Sequence, residues 1–453
     1  MASARDFVRL GFASIRNPRH ALRIGLTILL YRRWFATLCD RIGGWRLLAY
    51  LTVLTIDDRQ ARPGATQVLV LDRLYFTKDV AELTDRGALS YPKLQTHVLS
   101  MVQATWLPER LCEQISYVPR TRPEDAAAWA TCNRYAEDVI RRWQRRSGVA
   151  AVLASNVDYW QHEAFRTACR SLGIPFLVLC QEVQTLPFTY RYSIKLYQDA
   201  DFRFSGTAVA VFEKRTADML VESGCCTPAQ VAVTGAPRLD PWFDEHRPRP
   251  EKTCVTLLAF DGEQYFAPET YISALAVFAE QSMSRASPGM SYVLKCKDAE
   301  DMDRARAHLA GVVHDLVLTH DWPLPDLLAR SRLVMGYNSL AIIEALLSDA
   351  HLVIPQWSDS LRPSEGQNID PADPSLRSQF EFLDSAEDWR RALEKAVTSG
   401  FRVPDRNERL ALLSRWFHLP QPGSATQTVE QFILSHLAGR HLSHLAGRHE
   451  SAT

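Results

Sequence analysis

Residues 326–357 constrain this chain more than any other stretch: D-L-L-A-R-S-R-L-V-M-G-Y-N-S-L-A-I-I-E-A-L-L-S-D-A-H-L-V-I-P-Q-W. Leu333, Val334 and Met335 form an apolar run with the length of a buried strand. Gly336 follows, where the chain must turn tightly. Asn338 or Ser339 suits a helix N-cap, because a short polar side chain there accepts a backbone N–H. Leu340, Ile343, Leu346 and Leu347 then recur at helical spacing. Leu352, Val353 and Ile354 make a second strand, ended by Pro355. The pattern predicts a βαβ unit, and a βαβ unit requires a parallel sheet.

Such a unit has chemical content. Unpaired N–H groups and the positive end of the helix dipole face out of its first loop and suit a phosphate. In doubly wound sheets, ligands sit just beyond the carboxyl ends of the strands. Glu344 lies about one and a half turns into the helix. It is placed for a ribose hydroxyl of a nucleotide whose phosphates occupy the helix start. An ordinary capped crossover with a solvated glutamate fits the same pattern.

The segment G-Y-N-S-L-A-I-I-E-A-L-L-S-D-A-H-L-V-I-P resembles the donor-binding segment of GT-B glycosyltransferases. More specifically, it is similar to bacterial surface-polysaccharide and lipopolysaccharide transferases, in which a Gly-x-Asn-Ser-like turn precedes a helix beginning x-x-Glu-Ala. A second segment, V-T-G-A-P-R-L-D at 233–240, resembles the Val-x-Gly-x-Pro-Arg-x-Asp element that closes the first half of such enzymes. The resemblance spans residues 65–410. It implies an α/β fold of the GT-B kind, with two Rossmann-like doubly wound domains facing a cleft. It also implies nucleotide-sugar contacts from Gly235, Arg238, Lys295, Gly336, Tyr337, Asn338, Ser339, Leu340 and Glu344. Arg238 is expected either on a donor phosphate or paired with Asp240. The related transferases carry Lys-x-His-Pro near Lys295; here Lys297 and Asp298 stand at the His and Pro positions.

The chain of 453 residues is long enough for two domains. The boundaries read as a basic helical segment at 1–60, an acceptor domain at 61–244, a charged Pro-rich linker at 245–252, a donor domain at 253–410 and a helical tail at 411–453. Gln67–Leu71, Val149–Leu153 and Phe176–Cys180 read as strands, with a helix over 124–146. Cys254–Phe260 opens the second domain. Polar residues follow the strands of the first half: Asn156, Asp158, Gln161, His162 and Glu163 after one, Gln181, Glu182 and Gln184 after the next. Glycosyl transfer needs a base for the acceptor hydroxyl, and His162, Glu182, Asp261 and Glu263 are candidates. Each also reads as a solvated or capping residue.

Residues 1–50 hold nine arginines against Asp6 and Asp40, while the whole chain has a formal net charge of +0. Nothing therefore steers it to nucleic acid. The N-terminal apolar runs, 24–31 and 47–56, fall short of the roughly 18–20 residues that span a bilayer. Arginines beside tryptophans and leucines suit a helix lying on an anionic membrane, or a helical collar on the first domain. No signal peptide is expected, so the chain is placed in the cytoplasm, peripheral on the inner face of the membrane. The nine cysteines lack metal-site or disulfide spacing. No essential metal and no cofactor are expected, the nucleotide sugar being a co-substrate. L-S-H-L-A-G-R-H occurs at 434–441 and again at 442–449, two copies being too few for a solenoid.

These readings converge on a glycosyltransferase of bacterial capsule or lipopolysaccharide assembly, with CMP-Kdo or another nucleotide sugar as donor and a saccharide or lipid-linked saccharide as acceptor. The alternatives are a glycerol- or ribitol-phosphate transferase, a sugar-nucleotide epimerase, and a scaffold that kept the fold without the chemistry.

Overall fold

The computed structural model describes residues 18–73, 76–113, 122–181, 183, 187–244, 250–262, 265–284, 289–398, 401–402, 405–419, 421 and 423–449. The chain divides into two compact units. The first comprises 1–184, 190–240 and 418–453, and the second 185–189 and 241–417.

The first unit is built on six parallel strands: β1 (Gln67–Asp72), β2 (Lys93–Gln95), β3 (Val149–Ala154), β4 (Phe176–Cys180), β5 (Ala208–Val211) and β6 (Val231–Val233), in the order β2-β1-β3-β4-β5-β6. The side chains of β1, β3, β4 and β5 form near-continuous buried apolar runs, as strands covered on both faces require, whereas the edge strands β2 and β6 are only partly buried. The helix Ala126–Ser147 buries Trp129, Cys132, Tyr135, Ala136, Val139, Ile140 and Trp143, one stripe at helical spacing. It ends at Gly148, whose left-handed φ of 73° closes the C-terminus without a Cβ clash.

Two helices precede β1, Pro18–Leu30 and Arg33–Leu54, the second kinked at Gly44. Ala36, Cys39, Leu48, Ala49 and Val53 join the core of this unit. Thr52 Oγ1 and Tyr135 Oη lie 2.9 Å apart, and Trp106 Nε1 donates to Asp40 Oδ1 at 3.0 Å. The segment is thus a collar along one face. Phe35 and Trp45 pack against the core, whereas Trp34 is exposed.

The C-terminal repeat lies in one helix, Ala425–His449. The Asp240 carboxylate caps its start, accepting from the N–H groups of Ala425 (3.1 Å) and Thr426 (2.7 Å). One turn on, the buried Glu430 accepts from Ala88 N–H (2.7 Å), Leu89 N–H (3.0 Å) and Tyr91 Oη (2.9 Å).

The second unit has β7 (Cys254–Leu258), β8 (Ser291–Lys295), β9 (Leu316–Thr319), β10 (Ser331–Met335), β11 (His351–Pro355) and β12 (Glu381–Leu383), all parallel, in the order β12-β11-β10-β7-β8-β9. This is the dinucleotide-binding strand order. The expected fold class is therefore observed: two Rossmann-like doubly wound units in one chain, as in GT-B enzymes. The βαβ unit at 331–355 is present, but its helix is short. Leu340–Glu344 is α-helical and Ala345–Leu347 tightens to a single 3₁₀ turn.

Candidate functional site

In the second unit β7 and β10 are neighbours, with Leu257 opposite Met335. The chain leaves β7 toward β8 on one side and leaves β10 toward β11 on the other. The loops after β7 and β10 therefore diverge from one point on the carboxyl edge of the sheet, where doubly wound folds bind ligands.

The loop after β10 is held firmly. Gly336 is buried, and a Cβ there would sit 3.0 Å from Ile342 Cβ and 3.1 Å from Leu258 Cδ1, so any larger residue has to displace these neighbours. Tyr337 is buried beside Phe260, and its hydroxyl donates to Ser360 O at 2.9 Å. Asn338 adopts φ 45°. Its Nδ2 donates to Gly366 O and its Oδ1 accepts from Asn368 N–H, both at 2.9 Å. Asparagine enters the left-handed region more readily than other non-glycine residues, and here the two bonds stabilise it there. Phe266, after β7, and Ser358, after β11, also have positive φ. Three of the four such non-glycine residues among the described ones thus lie on this edge, the kind of clustering found at binding sites.

Several expected roles change. Ser339 is extended, and its side chain makes no cap hydrogen bond. Leu340 is half-buried, and Glu344 is buried rather than solvated. A helix this short carries little macrodipole. The longer helix after β7, Pro268–Ser282, is already capped. Asp359 accepts from the N–H groups of Glu269 and Thr270, each at 2.9 Å. Burial alone would raise the Asp359 pKa, but bonds from the Thr270 hydroxyl and these N–H groups hold it below the usual range. Lys295 Nζ donates to His320 O (2.5 Å) and Cys296 O (3.1 Å). Asp298 caps the helix Ala299–His308. Asp261 is engaged, its carboxylate 3.1 Å from His308 Nε2 and 3.6 Å from Arg304 Nε. Glu263 lies outside the described residues, as do Glu182 and Gln184.

The first unit reverses its strand order between β1 and β3. Asp72 ends β1 and is buried there, accepting from Thr77 Oγ1 and Gln95 Nε2, both at 3.0 Å. Burial raises its pKa, opposed by Lys93 and these two bonds. The Arg73 guanidinium lies 4.3 Å from the centre of the Tyr159 ring. His162 packs on the same ring and pairs through Nε2 with Thr96 Oγ1 at 3.1 Å. It is 3% exposed rather than on a solvated helix face. Burial, then the charges of Arg73 and Arg166, lowers its pKa to about 3. Such a ring is neutral at pH 7 and takes up a proton poorly. Ser155 Oγ, His162 Nδ1 and Gln181 Oε1 are buried without a hydrogen-bond partner. Asn156 and Asp158 are also buried, and Glu163 pairs with Arg166.

Gly235 has φ 77°. Arg238 does not pair with Asp240: its partner is Asp79, and Asp240 instead caps the C-terminal helix. Asp72 is the residue that sequence reasoning passed over. Its signal was a carboxylate directly after the first buried strand. Among the described residues no group of three or more His, Cys, Asp or Glu side chains is placed to hold a metal ion.

No family model matches the chain, and no curated protein matches it. Among solved structures it is similar to a Staphylococcus aureus MnaA–UDP complex, at 13% identity over 82% of this chain and 97% of that one, with a TM-score of 0.47. It is similar to a Neisseria meningitidis UDP-GlcNAc 2-epimerase bound to UDP-GlcNAc, at 14% identity over 82% and 100%, TM-score 0.45. Acinetobacter baumannii MurG aligns at 14% identity over 82% and 99%, TM-score 0.39. At these identities and scores the likeness assigns neither a family nor an activity to this chain.

Proposed function

We propose that this chain is a glycosyltransferase whose second unit binds a nucleotide-activated sugar at the diverging loops after β7 and β10. The observation that carries this reading is the Asn338 staple. A loop at the ligand-binding point of a dinucleotide-type sheet is fixed in a strained backbone conformation by two hydrogen bonds. Residues 337–340 offer backbone N–H groups to the donor phosphates, and Glu344, at the end of the short helix, offers a carboxylate to a ribose hydroxyl. Arg238 and Lys295, engaged with Asp79 and with backbone carbonyls, hold the fold in this reading.

The first unit then presents the acceptor at the β1/β3 rim. Asp72 suits the base better than His162, because its raised pKa brings it closer to neutral pH while that of His162 lies far below it. The acceptor is a saccharide or lipid-linked saccharide of a bacterial surface polymer, and the enzyme works at the cytoplasmic surface of the inner membrane. The test is a thermal-shift panel of CMP, CDP, UDP and GDP on the wild type and Asn338→Ala. A ligand that binds only the folded state raises the melting temperature. The reading requires at least one nucleotide to stabilise the wild type and to lose that effect in the variant. No shift with any of the four overturns it.

A further inference from the structure

We infer that the first three turns of the helix Arg33–Leu54 dock into the headgroup region of one leaflet of an anionic membrane. Trp34, Leu38 and Ile42 recur every fourth residue, so they lie on one face. They are 63%, 46% and 73% exposed. Leu22 (57%) and Leu29 (38%) add to the apolar surface on the helix before. The opposite face of Arg33–Leu54 buries Ala36, Cys39, Leu48 and Ala49 in the core of the first unit. The stripe is therefore held outward by packing on its far side.

Single exposed hydrophobics are ordinary, but five on two consecutive helices form a set that marks an interaction surface. Its chemistry selects the partner. Arg19, Arg33, Arg41 and Arg46 are exposed on the same two helices. The acid among them, Asp40, is turned inward to Trp106. A second copy of this face would oppose arginine to arginine in a two-fold interface, at a cost in like-charge repulsion. An anionic lipid surface takes both the arginines and the apolar side chains. No described helix is long and apolar enough to cross a membrane, and Gly44 breaks this one at φ 59°, ψ −162°. The fit is to a helix lying in the plane of the interface. Phe35 and Trp45, packed on the protein, take no part.

The docking face deepens the membrane-surface reading above, and its failure leaves nucleotide binding at the β7/β10 loops untouched. The experiment is flotation of the full chain with vesicles of phosphatidylcholine alone, or of equal parts phosphatidylcholine and phosphatidylglycerol, at low and high salt. Three proteins are compared: wild type, Trp34→Ser/Leu38→Ser/Ile42→Ser, and Arg33→Gln/Arg41→Gln. All changes are at exposed positions, and circular dichroism with nucleotide thermal shift checks that each protein is folded. The expected result is wild-type recovery with the anionic vesicles that falls as salt shortens the Debye length from about 10 Å to about 3 Å. The apolar triple variant should lose at least about a hundredfold in partitioning. Each arginine removed should cost about fivefold. Equal recovery on both vesicles, no flotation, or a triple variant that floats like wild type overturns the inference. So does a wild-type dimer on gel filtration that the triple variant converts to monomer.

Discussion

One buried carboxylate, Asp79, is held twice by Arg238: its Oδ1 accepts the backbone N–H of Arg238 at 3.1 Å, and its Oδ2 the guanidinium at 3.0 Å. Asp79 is fully buried, and the guanidinium also lies over the Phe212 ring. Arg238→Ala should cost up to about 3–5 kcal/mol, because it removes the guanidinium that faces a buried carboxylate and leaves the backbone N–H in place. Arg238→Met/Asp79→Leu should recover most of that loss. Nucleotide affinity measured by calorimetry should change little in either. A stable Arg238→Ala protein with lost affinity would return the guanidinium to a donor phosphate.

Glu430 ties the C-terminal helix to the loop after Gly87 through two N–H groups and the Tyr91 hydroxyl. That hydroxyl stays protonated, its pKa pushed up by burial and by the Glu430 charge. Glu430→Ala removes the acceptor for two buried donors, the Leu89 N–H and the Tyr91 hydroxyl, each costing about 1–3 kcal/mol when left unpaired, and for the less buried Ala88 N–H. The expected outcome is faster proteolytic removal of the chain beyond residue 424. Gly87→Ala should act in the same direction, since its Cβ would meet the Glu430 carboxylate. Unchanged digestion patterns in both variants would show that other contacts dock this helix.

Asn338→Ala should weaken nucleotide binding by about ten- to a hundredfold, because it removes both bonds that hold a left-handed residue in the loop. Ser339→Ala should do less, its hydroxyl making no cap bond. Calorimetry with the nucleotide that gives the largest thermal shift reads both. A larger loss for Ser339→Ala would mean that the hydroxyl, rather than the loop backbone, contacts the ligand.

His162 predicts a pH dependence. Its folded pKa, near 3, lies below the unfolded value of about 6.5, so the unfolded chain binds the extra proton between those values. Its contribution to stability is complete above pH 6.5 and is lost as pH falls toward 3. Between pH 7 and pH 5 it should amount to about 2 kcal/mol. Urea unfolding at both pH values should show that increment in the wild type and not in His162→Gln. Equal increments would place the ring in contact with solvent.

Asp72→Asn should lower kcat by about 10²–10⁴ with donor affinity near normal, if the carboxylate deprotonates the acceptor. His162→Gln should lower it less. Full activity of Asp72→Asn in a transfer assay, with loss in Glu182→Gln or Glu263→Gln, would move the base to those residues.

Local pattern determined much of this protein. The apolar runs at 68–71, 176–180 and 333–335 read as buried strands, because they are short, continuous and bounded by turn-forming or polar residues. The crossover after Met335 and its turn at Gly336 were legible for the same reason: periodicity reports which face a segment must bury; the segment at 1–60 read as helical, but as a membrane-surface helix or a collar alike. The partners of charged side chains were not legible. Arg238 stands two residues from Asp240, yet it reaches Asp79, far earlier in the chain, while Asp240 serves a helix that begins at Ala425. His162 read as a candidate base or a solvated residue and is buried; Asp72, passed over in the sequence, lies at a strand-order reversal. Charges pair by proximity in space, and proximity depends on strand order, which hydrophobic period does not encode. The same is true of Trp34, Phe35 and Trp45. They are alike in sequence, but packing of the collar set two partly against the core and left one facing out.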